Sequence, residues 1–117
     1  MVTFAELIRK IKQNEIPMEN IVRYLNKENL GISGVIIFKI INEKYCNEEI
    51  IKKLISFSQL LEGYKFIGPW QYGHVAIAAL FLLQDDKATE KYIEIYNSLN
   101  DDDKFLVDNF IKSEAYK

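Results

Sequence analysis

The chain has 117 residues, 49% of them hydrophobic and 27% charged, with a formal net charge of −2. That composition excludes a disordered chain and gives no general attraction to nucleic acid. A single cysteine, Cys46, excludes an internal disulfide and fits a reducing compartment.

The opening MVTFAELIRK places Glu6, Arg9 and Lys10 among its apolar residues. This breaks the run that a secretory signal needs and points to the cytoplasm. Thr3 and Glu6 have the spacing of a capping box, and Phe4, Leu7, Ile8 and Ile11 follow at helical spacing. Asn14 and Pro17 separate this helix from a second, about 18–27, which Gly31 breaks. Ser33 reads as the cap of a third helix, about 34–44. Within it VIIFKII (35–41) has the β-branched composition of a buried strand. No second strand-like run is there to take its hydrogen bonds, so a buried helix is expected.

Asn47 is placed to cap a fourth helix, with Glu48 and Glu49 at its positive end and Gly63 as its C-terminal glycine. Residues 66–83, FIGPWQYGHVAIAALFLL, carry no charge. Gly68-Pro69 reads as the start of a fifth helix. Its uninterrupted apolar part is half the length a membrane helix needs, and it is apolar all round, so it reads as a core helix. Asp86 is placed to cap a sixth helix, about 87–99, with Tyr92, Ile95, Tyr96 and Leu99 inward. Asp101 or Asp102 is placed to cap a seventh, with Leu106, Val107, Phe110 and Ile111 inward. Cys46 lies between elements, and the ending KSEAYK reads as a natural terminus.

The helices fall into pairs, a half-polar one followed by a more apolar one. Gly34 and Gly73, each opening the second helix of a pair, are 39 residues apart, as are Leu60 and Leu99. A two-helix unit of about forty residues resembles HEAT and armadillo repeats. The segment HVAIAALFLLQDDKATEKYIEIYNSLNDDDKFLVDNFI is most similar to a HEAT unit. The expected fold is therefore all-α, one domain over 1–117, about seven helices in antiparallel pairs as a right-handed HEAT-like α-solenoid fragment. An irregular helical bundle is the alternative.

Catalytic and metal chemistry find no foothold. One His and one Cys, far apart, do not make a metal site, and consecutive Asp101, Asp102 and Asp103 lack the alternating spacing of a calcium loop. His74 has no sequence-adjacent nucleophile, and no glycine run has phosphate- or dinucleotide-binding spacing. No enzyme activity, cofactor, metal, nucleic acid or membrane partner is expected.

Charge placement does stand out. Residues 85–108 hold eight carboxylates (Asp85, Asp86, Glu90, Glu94, Asp101, Asp102, Asp103, Asp108) against three lysines. An acidic end favours a basic partner, and Trp70 and Tyr72 are candidate aromatic anchors beside it. In size, acidic end and lack of a catalytic motif the chain resembles the small all-helical immunity proteins of bacterial toxin systems. That resemblance implies a protein that neutralises a basic toxin domain. The alternative is a structural or regulatory adaptor subunit of a larger assembly.

Overall fold

The computed structural model describes residues 3–117. It is mostly helical, with seven α-helices and one two-stranded sheet. Helix α1 is Phe4–Lys12, capped by the Thr3 hydroxyl, which accepts the Glu6 N–H. Helix α2, Met18–Ile21, is short and runs into a 3₁₀ turn, Val22–Tyr24. The predicted second helix therefore stops early. Leu25 leaves the helical region, and the Asn26 side chain caps another 3₁₀ turn, Lys27–Asn29, by accepting the Glu28 N–H.

Helix α3, Leu30–Glu43, contains VIIFKII as a helix. It starts before Ser33, so Ser33 is not its cap. The buried Ser33 hydroxyl instead accepts the Asn26 N–H and donates to the Asn26 carbonyl, fastening the loop from inside. Gly31 is not a break either. It lies within α3, where its missing side chain leaves room for the Phe4 ring.

Helix α4, Glu48–Phe57, is capped by Asn47. It ends well before Gly63, because the next segment bends back. The Leu60 carbonyl accepts the Gly73 N–H at 2.9 Å, and Gly63 sits in the left-handed region in the turn that follows. Strands β1, Lys65–Ile67, and β2, Trp70–Gln71, form an antiparallel hairpin. Gly68-Pro69 is the hairpin turn, not a helix start: Gly68 supplies a positive φ and proline needs no N–H partner there.

Helix α5, Tyr72–Leu82, is buried from Tyr72 through Leu80 and packs against α3 and α4. Helix α6, Asp86–Asn97, is capped by Asp85, and helix α7, Asp101–Ser113, by Asn100. Each cap is the extended residue just before the predicted one. Asp86, Asp101 and Asp102 sit instead in first turns, where a carboxylate favours the positive helix end. Both helices lie against α5, which makes α5 the centre of the core. No described helix is long and apolar enough to cross a membrane.

Candidate interaction surface

The carboxylates singled out in the sequence divide into two groups. One group is engaged within the fold. Asp85 accepts the Ala88 N–H at 3.0 Å and faces the Cys46 thiol. Burial first, then the Asp85 charge and its hydrogen bond, push Cys46 up to about 11. Asp103 lies 2.8 Å from Nε2 of the buried His74. Asp108 accepts the Tyr96 hydroxyl at 2.8 Å, which raises Tyr96 above the usual tyrosine range. Glu94 makes an exposed ion pair with Lys91 at 3.5 Å.

The other group is free. Asp86, Glu90, Asp101 and Asp102 are exposed and make no side-chain hydrogen bond or ion pair among the described residues. They stand on the first two turns of α6 and in the first turn of α7. Two large apolar side chains stand among them. Ile93 is 52% exposed and lies one turn beyond Glu90; Phe105 is 61% exposed and lies one turn beyond Asp101 and Asp102. Neither was among the candidates. The helical period could have found both, since Ile93 falls outside the inward stripe of Tyr92, Ile95, Tyr96 and Leu99, and Phe105 outside that of α7. Between the helices, Tyr92 and Tyr96 stack at 5.3 Å, and the Lys104 ammonium lies 5.6 Å from the Tyr96 ring centre.

Trp70 and Tyr72 are buried and do not belong to this surface. Trp70 packs edge-on against Phe110 at 5.2 Å. Tyr72 stacks on Phe66 at 4.4 Å, and its hydroxyl donates to the Leu30 carbonyl at 2.8 Å. Both side chains hold the hairpin and α5 to the rest of the core.

Among the described residues no three His, Cys, Asp or Glu side chains converge as metal ligands. Comparison with protein-family models, with curated proteins and with solved structures gave no match to this chain.

Proposed function

We propose that the chain is a non-catalytic protein-binding module that takes a basic partner on the outer surface of α6 and α7. In its concrete form it is an immunity protein that neutralises a bacterial toxin domain. The observation that carries the reading is the set of four unpaired carboxylates, Asp86, Glu90, Asp101 and Asp102, interspersed with exposed Ile93 and Phe105. An exposed apolar side chain one turn from unpaired carboxylates of its own helix suits an oppositely charged protein surface better than it suits solvent. The resemblance of residues 74–111 to a HEAT unit agrees with a binding role, since helical repeats build extended faces.

The test is affinity capture from the source cell, with the native chain and with a variant carrying D86N, E90Q, D101N and D102N. Asp103 stays, because it holds His74. A stoichiometric basic protein should bind the native chain and be lost from the variant. The native chain should then inhibit that protein's toxic activity. Partners that bind both forms equally would remove the acidic surface from the function. A stoichiometric partner without toxic activity would favour the adaptor reading.

A further inference from the structure

A groove of about 400 Å³ lies on the outer side of α3, between α1 and the hairpin. That is within the size range of small-molecule sites. Ile11, Val35, Phe38 and Phe66 give it an apolar lining. Its hairpin wall is fixed in place. Gly34 leaves the space against α3 that the Phe66 ring fills, and a Cβ there would collide with the ring. Phe66 is held from elsewhere by the stacked Tyr72 and by Phe38, whose ring centre is 5.3 Å away.

The rim carries an immobilised cation. The Lys39 side chain is only 11% exposed, and its ammonium is held by the Glu43 carboxylate at 2.7 Å and by the Asn14 side-chain oxygen. An ammonium has three donors, and these contacts use two. Lys12 lines the same groove and forms no ion pair among the described residues. Lys12, Lys39 and Glu43 together leave the rim with one positive charge. Asn42 adds a polar oxygen, since both its N–H donors are taken by the Phe38 and Tyr116 carbonyls.

We propose that this groove binds a small aliphatic monocarboxylate. Its hydrocarbon body lies on Val35, Phe38 and Phe66, and its carboxylate takes the free donor of Lys39 with Lys12 beside it. Charge complementarity selects this class. A neutral hydrocarbon leaves the surplus positive charge of the rim unmatched, and a dianion exceeds it. The site is separate from the α6–α7 surface and does not depend on its role.

The full chain is titrated with decanoate, below its micelle-forming range, by calorimetry and by NMR of the backbone amides, with decanol as the uncharged probe. Decanoate should bind one to one, and decanol about tenfold more weakly. Lys39→Met, which keeps the stem and removes the charge, should weaken decanoate about tenfold. Val35→Trp, which fills the groove, should abolish binding. Equal affinity for decanol and decanoate overturns the proposal, as does full binding by folded V35W or no binding at all. If V35W fails to fold, the native amide shifts decide: changes centred on Val35, Phe38 and Phe66 support the site, and changes centred elsewhere overturn it.

Discussion

His74 donates a hydrogen bond to Asp103, 29 residues further along the chain, across 2.8 Å. The donor is Nε2, because Nδ1 already accepts the Gln71 N–H at 3.0 Å. One buried ring thus caps the start of α5 and ties it to the first turn of α7. His74→Ala deletes both bonds and leaves a void at a site 1% exposed. It should cost about 2–4 kcal/mol, read as a lower urea midpoint at unchanged slope. Asp103→Asn keeps an acceptor oxygen and should cost about 1 kcal/mol. Equal losses would mean that the carboxylate, and not the packing of the ring, dominates.

Two helical glycines should respond in opposite ways. A Cβ at Gly73 would stand 2.8 Å from the Leu60 carbonyl oxygen, which is backbone and already bonded to the Gly73 N–H. Gly73→Ala should therefore lose about 2 kcal/mol. A Cβ at Gly31 would meet only the tip of the Phe4 ring, on a side chain more than half exposed. That ring can swing away, and alanine gains about 1 kcal/mol of helix preference over glycine. Gly31→Ala should melt at or above the native temperature.

Much of this architecture was legible from periodicity and capping chemistry. VIIFKII had no partner strand, so its β-branched composition could not win. The charge-free run after His74 could only be a core helix. The hairpin was not legible, because strands of three and two residues have no period to detect. Proline serves a turn as well as a first helical position, so Gly68-Pro69 pointed both ways. The acidic cluster was visible as composition. That Asp103 belongs to His74 and Asp85 to Cys46 was not, since both pairings exist only in the folded chain. Nor does a list of aromatics distinguish buried Trp70 from exposed Phe105.

Cys46 should be a slow nucleophile. With its thiol near 11, about one molecule in a thousand carries the thiolate at pH 8. Asp85→Asn keeps a capping side chain at α6 and removes the charge and the strong acceptor facing the thiol. Alkylation by iodoacetamide at pH 8 should then speed up, while staying slower than for an exposed cysteine because burial remains. An unchanged rate would assign the whole shift to burial.

Alkali should unfold the protein by a defined route. Burial, with Asp108 and Tyr96 nearby, pushes Tyr92 up to about 12 from 10.0, and Cys46 rises from 9.0 to about 11. Each group holds its proton more tightly in the fold than in the unfolded chain. Its contribution to stability is complete below the unfolded value and is lost as pH rises through the folded one. The melting temperature should fall from about pH 9 upward. Tyr92→Phe should flatten the part of the fall above about pH 10 and leave the earlier part unchanged. An identical profile for the variant would exclude Tyr92 as a contributor.

Glu90 separates binding from folding. Asp86, Asp101 and Asp102 each lie in a first helical turn, where stability alone accounts for a carboxylate. Glu90 lies in the second turn of α6, exposed, and has no ion-pair partner among the described residues. Glu90→Gln should shift stability by less than about 0.5 kcal/mol. If the acidic surface takes a basic protein, the same change should slow association, and the difference from the native chain should shrink as salt is added. Ile93→Ser should act differently, raising the dissociation rate at every salt concentration, because an apolar anchor is not screened. Native affinity and rates in both variants would mean that this face is solvated surface and that the partner binds elsewhere.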